Sequence, residues 1–271
     1  MFFDRSGLAA LSDLQAPAYH PILAQLERVD ADFLQSVPMF AHPQYRWHRD
    51  TLHTWSRAWE YAFMLHHINS ECMKAPLPLH VIDFGSGSTF FPFAIARMGN
   101  TVLCFDNDPI GVADLQTASA VVSSGSGSVE ARQNGETLPC DSLSANIAYS
   151  VSVLEHMPDP VPIIEEIYRV LKPGGLFILT MDLDVEGTSG VSPAHFEQLR
   201  AQLGERFTWE FAERTIHPLD VLTSKNSPWP RPGERKIRGL LYRNAGGELR
   251  PLLGGPSPGV LTVYGCVLRR R

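Results

Sequence analysis

Val81-Ile82-Asp83-Phe84-Gly85-Ser86-Gly87-Ser88 is the stretch that decides the fold. An apolar run ends in an acid, a Gly-Ser-Gly turn follows, and a helical pattern from Phe90 to Met98 begins at once. The next apolar run, Thr101 to Phe105, also ends in an acid, Asp106. A strand, a glycine turn, a helix and an acid-tipped strand form a nucleoside-binding half-site.

Two residues bear on which nucleoside. In the dinucleotide fingerprint a third glycine lets the helix approach the strand beside a bound pyrophosphate. Counted from Gly85, that position holds Phe90. Asp83, two residues before the first glycine, places a carboxylate where it would repel a pyrophosphate. It suits a ligand with an ammonium or a sulfonium. S-adenosylmethionine carries both, has no phosphate, and offers a ribose diol to Asp106. The bland alternative is a tight strand-to-helix turn without a ligand, and short glycine motifs do occur that way. The two acids argue against it.

Outward from this stretch, strands and helices alternate. Strands are expected at His80–Phe84, Thr101–Asp106, Val129–Gln133, Ala145–Ser150 and Leu176–Met181. Helices are expected at Phe90–Met98, at Pro109–Val122 with proline in the first turn, and at Val161–Leu171. Another runs from Ser192 to Leu203, capped by Ser192 ahead of Pro193. Alternation of this kind implies an α/β fold with a doubly wound, mostly parallel sheet. Two later strand candidates, Lys236–Tyr242 and Val260–Leu268, have no helix between them and imply an antiparallel C-terminal edge. Ahead of the sheet, apolar spacing gives a helical patch at Ile22–Phe33 and helical character over His53–Met73, ended by Pro76 and Pro78. The expected organisation is an N-terminal helical extension or lid over residues 1–75 and the α/β domain over 76–271. In such sheets ligands lie beyond the carboxyl ends of the strands. Asp83, Asp106, Asn134 and Ser150 all fall at or after strand ends.

The bulk numbers bound the function. The chain has 271 residues, 44% hydrophobic and 19% charged, with a net charge of −6. Phosphate-backbone binding draws on clustered Lys and Arg, and the terminal Arg269-Arg270-Arg271 is the one basic run. A nucleic-acid partner is disfavoured. None of Cys72, Cys104, Cys140 and Cys266 forms a Cys-x-x-Cys pair, so neither zinc nor redox chemistry is indicated. Cys104 and Cys266 lie in apolar runs and read as buried thiols. Met1-Phe2-Phe3-Asp4 lacks the basic start and apolar core of a signal peptide. No apolar run reaches bilayer length. A cytoplasmic protein without membrane association is expected; the oligomeric state is open.

Four blocks in order give the chain a resemblance: Asp83-Phe84-Gly85-Ser86-Gly87, Phe105-Asp106, Leu138-Pro139 with Val153-Leu154-Glu155-His156, and Leu171-Lys172-Pro173-Gly174-Gly175. They resemble class I S-adenosylmethionine-dependent methyltransferases of the small-molecule branch, over about residues 80–182. The resemblance implies a Rossmann-like sheet with S-adenosyl-L-methionine as cofactor. It implies that Asp83 and Gly85, Ser86 and Gly87 hold the methionine end. Asp106 would take the ribose hydroxyls, with Asn107 beside the adenine. Asn134 and Gly135 would meet the adenine amino group, and Ser150 would lie near the methionine moiety. Ser88 departs from the family's common third glycine.

Methyl transfer from a sulfonium is an in-line displacement in which positioning supplies much of the acceleration. A hydroxyl acceptor also profits from a base near pKa 7, which points to histidine. The candidates are His156, after strand four, and His53, at the start of the lid helix, with His217 as an outsider. His156 recurs in the family motif whatever the substrate and reads equally as loop support. Trp55, Trp59 and Tyr61 either wall an apolar acceptor or pack the lid on the sheet. Some relatives bind a divalent cation through Glu-x-x-Glu-His. Here Ser152 stands at the first carboxylate, and the two remaining ligands are too few for a hard cation, so no metal is expected. The expected activity is methyl transfer to a small molecule, preferably a hydroxyl of a natural product or sugar-like metabolite. The alternatives are N- or C-methylation, a catalytically inactive S-adenosylmethionine-binding partner protein, and an NAD-linked oxidoreductase, which Phe90 disfavours.

Overall fold

A computed structural model of the chain describes residues 2–37, 51–185, 193–230 and 260–271. Its strands are β1 (Gly7–Leu8), β2 (His80–Phe84), β3 (Thr101–Asp106), β4 (Ser128–Gln133), β5 (Ala145–Val151), β6 (Leu171–Asp184), β7 (Phe207–Trp209) and β8 (Leu261–Arg270). Its α-helices are α1 (Tyr19–Ser36), α2 (Arg57–Cys72), α3 (Phe91–Ala96), α4 (Pro109–Val121), α5 (Val161–Val170) and α6 (Pro193–Arg206). They build one sheet in the order β1-β8-β6-β5-β2-β3-β4, with β7 also paired to β8. β2 to β6 pair in parallel, and β8 runs antiparallel to β6 from Leu176↔Arg269 to Asp184↔Leu261.

The strands are apolar on both sides because both faces are covered. Along β6, Leu176 and Ile178 enter one buried cluster with α1–α4, whereas Phe177 and Leu179 enter another with α5 and α6. This is the two-period alternation of a strand, read against helices on each side.

α2 departs from an ordinary surface helix. Trp59, Glu60, Tyr61, Ala62, Phe63, Met64 and Leu65 are all buried, which leaves no solvent face over that run. It lies against α1 and α3 as well as against the sheet. Trp59 stacks on Phe63 with ring centroids 5.0 Å apart. A Cβ added at Gly265 of β8 would lie 2.9 Å from the Trp59 ring, so only glycine lets the helix this close to the strand. The Trp59 indole N–H donates to Asp13 Oδ2 at 2.7 Å, and the Arg5 guanidinium donates to the same oxygen at 2.5 Å. Tyr61 stacks on Phe91 at 4.6 Å. Of the two readings of the aromatics, packing therefore accounts for Trp59 and Tyr61. Residues 2–15 are fastened to this helix and, through Gly7↔Gly265, to the sheet edge.

Several boundaries move. The helix read from His53 starts at Arg57, and the strand read over Leu176–Met181 runs from Leu171. Lys172-Pro173-Gly174-Gly175 forms a register shift, with Ala145↔Leu171 followed by Ile147↔Leu176, instead of a turn ahead of the strand. Lys236–Tyr242 and the Ser192 cap lie outside the described residues. Among the described residues no helix is long and apolar enough to cross a membrane.

Candidate cofactor site and acceptor crevice

The glycine turn is built by sterics and by Asp106. Gly85 (φ +73) and Gly87 (φ +52) are left-handed, a region costly for residues with a Cβ. The Gly85 and Ser86 N–H groups both donate to the Phe105 carbonyl, at 2.8 and 3.1 Å. Asp106 holds the rest: Oδ2 accepts from Gly87 N–H at 2.8 Å and Oδ1 from Asp108 N–H at 2.8 Å. A Cβ at Gly85 would clash with Val153 Cγ2, and valine cannot move far because its χ1 is stiff. Gly85→Ala is therefore expected to destabilise the protein by about 2 kcal/mol or more through the left-handed cost and the clash together. Thermal unfolding checks this; an unchanged Tm would show that the turn relaxes freely.

Asp83 is buried, paired through β2–β5 with Tyr149. Burial pushes its carboxyl up to about 8; Tyr149 lowers it in part, and the neighbouring Asp106 raises it. No described cation lies among these causes. Asp106 is also raised, by burial first, against hydrogen bonds from the turn N–H groups. Both acids sit at the carboxyl ends of adjacent parallel strands.

The other expected ligand residues lie on the same row. Asn134 N–H donates to the Asp106 carbonyl at 3.1 Å, which brings the end of β4 beside the turn. Asn107 and Gly135 are exposed there, and space around Gly135 is open to 4 Å. The loop after Asn134 is fastened from α5: Glu166 accepts from Leu138 N–H at 2.9 Å and Arg169 donates to the Leu138 carbonyl at 3.0 Å. Ser150 is 1% exposed at the end of β5, and its hydroxyl has no hydrogen-bond partner among the described residues; the same holds for Asn134 Oδ1. Buried polar atoms are rarely left so. A buried acid that has Tyr149 as a hydrogen-bonding neighbour but no described counter-charge, with two orphaned polar atoms near the strand ends, fits a ligand with a cationic end and several hydrogen-bonding groups, as S-adenosylmethionine has.

Across from this row stands a polar roof that sequence reasoning missed. Glu60 in the first turn of α2 is 0% exposed. Its Oε1 accepts from the Ser152 and Thr180 hydroxyls, each at 2.6 Å, and its Oε2 pairs with Arg57. Burial raises the Glu60 pKa, but Arg57 and the hydroxyls outweigh it and the net shift is downward. Ser152 takes φ +52 to reach this position. Glu155 is 7% exposed, and Oε1 accepts from Asp182 N–H at 2.7 Å. No sequence signal marked Glu60, because a helical acid reads as a solvated face. Trp59 and Tyr61 beside it were the available hint of burial.

The two histidine candidates separate. His156 is at the rim, and its ring is held below the usual imidazole range by desolvation first and the Arg57 charge second. It therefore belongs with the roof. His53 instead contacts Glu27 Oε1 at 3.1 Å and stacks on Trp229 with centroids 6.1 Å apart. Its described contacts do not join those of the strand-end row. His217 caps the short turn Pro218–Asp220 by accepting from Leu219 N–H. Among the described residues one group has metal-ligand types in reach of each other: Asp4, His66 and His67. His66 pairs with Asp4 at 2.9 Å, and His67 donates to the Phe3 carbonyl at 3.1 Å. Hydrogen bonds thus already account for this group, which fastens the N-terminal segment to α2. The thiols Cys104 and Cys266 are buried as expected.

Comparison with known proteins bears on the family and the fold. Residues 82–179 match a family described as a methyltransferase domain. An uncharacterized methyltransferase of Mycobacterium sp. (strain JLS) is 35% identical over 100 residues, which is 37% of this chain and 37% of that protein. The chain thus matches little more than a third of that relative's length. A ubiquinone biosynthesis O-methyltransferase of Pseudomonas paraeruginosa is 27% identical over 176 residues, covering 64% of this chain and 66% of the relative. The crystal structure of the [4+2]-cyclase SpnF superposes with a TM-score of 0.54 at 19% identity, over 90% of this chain and 94% of that one, and so shares the fold.

Proposed function

We propose that this chain, which carries a class I S-adenosylmethionine-dependent methyltransferase domain, transfers a methyl group to a small-molecule acceptor, preferably at a hydroxyl. The observation that carries the reading is Asp83. It is a buried acid without a described counter-charge, one strand from a second acid, and its partner on β5, Tyr149, precedes the orphaned Ser150 hydroxyl in the chain. Burying an unpaired carboxylate is costly, and such groups persist where a ligand completes them.

Asp83 would face the cationic methionine end, together with the Gly85-Ser86-Gly87 backbone. Asp106 has further lone pairs beyond those bonded to Gly87 and Asp108, and these would accept from the ribose diol. Asn107, Asn134 and Gly135 would border the adenine, and Ser150 the methionine. When bound, S-adenosylmethionine supplies an activated methyl group. The chain's own part is to orient the acceptor and exclude water. The α2 roof, tied through Glu60 to Ser152 and Thr180 beside the ends of β5 and β6, would border the acceptor.

A hydroxyl is preferred because the roof and rim hold proton acceptors, and because one matched relative is an O-methyltransferase. An amine acceptor is the second reading, favoured by the carboxylates of the roof, with Arg57 the described cation beside them. Extracts of phenols, sugar-like polyols and amines, incubated with methyl-labelled cofactor, separate the readings. Label transferred to oxygen is expected. Label on nitrogen alone would replace the first reading with the second, and no transfer to any class would favour a non-catalytic binder.

A further inference from the structure

β2 lies between β3 and β5 in the sheet, and the glycine turn at its end is gripped from both neighbours. On the β3 side, Gly85 and Ser86 donate to the Phe105 carbonyl and Gly87 donates to Asp106. On the β5 side, one side chain fills the space over Gly85. The point where a Cβ would stand on Gly85 is taken by Val153, whose Cγ1 lies 2.8 Å and Cβ 3.1 Å from it. Val153 follows shortly after β5, and its carbonyl accepts from His156 N–H at 3.0 Å. Where Val153 points is decided by the residue before it.

That residue, Ser152, is held in the left-handed region at φ +52. A residue with a Cβ persists there only when its surroundings over-determine it. The Ser152 N–H donates to the Thr180 carbonyl at 3.1 Å, its hydroxyl donates to Glu60 Oε1 at 2.6 Å, and Arg57 Nη1 donates to the same hydroxyl at 3.2 Å. The contact with Asp182 Oδ1, at 3.4 Å, is longer and weaker. Glu60 Oε1 also accepts from the Thr180 hydroxyl at 2.6 Å, so Glu60, Ser152 and Thr180 close a triangle of buried groups. Val151 pairs with Thr180 in parallel register, which makes β6 the fixed post of that triangle.

We propose that Glu60 is a positioning residue for the cofactor: through Ser152 it fixes Val153 over Gly85, and so ties the shape of the glycine turn to the seat of α2. The proposal rests on the methyltransferase reading. With α2 seated, Ser152 keeps its left-handed backbone and Val153 closes the space beside the turn, which then meets the methionine end in one arrangement. Without the Glu60 bond, Ser152 relaxes toward negative φ, Val153 swings with it, and the turn gains room. A turn that the ligand must order binds more weakly, because the ordering entropy is subtracted from the binding free energy. Linkage makes the effect reciprocal: a bound cofactor holds Val153 and Ser152 in place and so favours the seated helix.

The test sets wild type beside Ser152→Gly, Val153→Ala, the double variant, Glu60→Ala and Glu60→Gln. Glycine tolerates the left-handed backbone, so Ser152→Gly removes the link to Glu60 and keeps the chain path. The amide resonance of Gly85 is read by NMR without ligand, and the dissociation constant of S-adenosylhomocysteine by calorimetry. Ser152→Gly is expected to move the Gly85 resonance and to weaken binding about tenfold, within the range for coupled residues that touch no ligand. Glu60→Ala, one contact further away, should move the resonance as well. The double variant should bind about as weakly as the weaker-binding single variant, because both changes break one chain of contacts. Glu60→Gln keeps an amide oxygen that accepts from Ser152, and should recover most of the affinity lost in Glu60→Ala. A residue that only stabilises the fold would lower Tm and leave the Gly85 resonance and the dissociation constant where they were. That result overturns the proposal, as do fully additive losses in the double variant. If Glu60→Ala does not fold, Ser152→Gly still decides. If wild type does not bind S-adenosylhomocysteine, the methyltransferase reading fails, and the Gly85 resonance still decides the link.

Discussion

Asp83→Asn is expected to cost at least 100-fold in affinity for S-adenosylmethionine and, without ligand, to make the protein more stable at pH 7. Both effects come from one burial. Asp83 has its pKa raised to about 8 by desolvation first, with Asp106 adding to it. For an acid raised on folding, the associated stability is complete below the unfolded value near 3.8. It is lost as pH rises through about 8. At pH 7 the unfolded chain releases this proton freely and the folded one does not, at a cost of at most about 4 kcal/mol. Asparagine keeps the shape and removes the titration. Its Tm should exceed wild type near neutral pH and match it below about pH 4. Binding changes in the other direction. A cationic ligand draws the proton off Asp83, so wild-type affinity should weaken as pH falls from 8 to 6, by up to about tenfold per unit. The variant should show no such slope. Titration calorimetry at three pH values, with calorimetric melting of the free protein, checks both halves. Retained affinity with a retained slope would place the cation elsewhere.

The second large effect is expected at Glu60. Removing one partner of a buried, hydrogen-bonded ion pair costs about 3–5 kcal/mol. Glu60→Ala would leave Arg57, Ser152 and Thr180 without their shared acceptor. For a chain of this size that is a fall in Tm of roughly 10 °C. The pH dependence has the opposite sign from Asp83. The Glu60 pKa is lowered on folding, because Arg57 and the hydroxyls outweigh desolvation. Its contribution is therefore present above the unfolded value near 4.5 and lost as pH falls through the lower folded one. The gap between wild type and variant should stay constant from pH 6 to 8 and narrow below about 4.5. Paired melts at pH 7 and pH 4 measure it. A difference under 1 kcal/mol at pH 7 would mean that the roof is not stabilised through this residue.

The legible part of the fold was the part with strong local period. β2 and β3 fall on the residues expected from the sequence, because each is a short apolar run closed by an acid. α4 begins at Pro109, as its first-turn proline suggests. β1 and β7 went unread: two or three residues carry no period, and their pairing with β8 is tertiary. β6 runs longer than its apolar core suggests because Lys172–Gly175 is accommodated by a shift in register. In the site, Asp83, Asp106 and the glycines were legible because their spacing is local. The roof was not. Glu60 and Thr180 lie 120 residues apart and meet through their hydroxyl-to-carboxylate bond. No pattern in either segment announces that contact. His53 illustrates the converse: close in sequence to Arg57, it turns to Glu27 and Trp229.

The row of strand ends around Asp83 and Asp106 is expected to take S-adenosylmethionine and not a dinucleotide. Isothermal titration of the purified chain with each ligand, at pH 8 where Asp83 is half ionised, tests it most directly. One-to-one binding of S-adenosylmethionine is expected, weakened at least 100-fold by Asp83→Asn, with no heat from NAD. Binding of NAD, or S-adenosylmethionine affinity unaffected by Asp83→Asn, would contradict it.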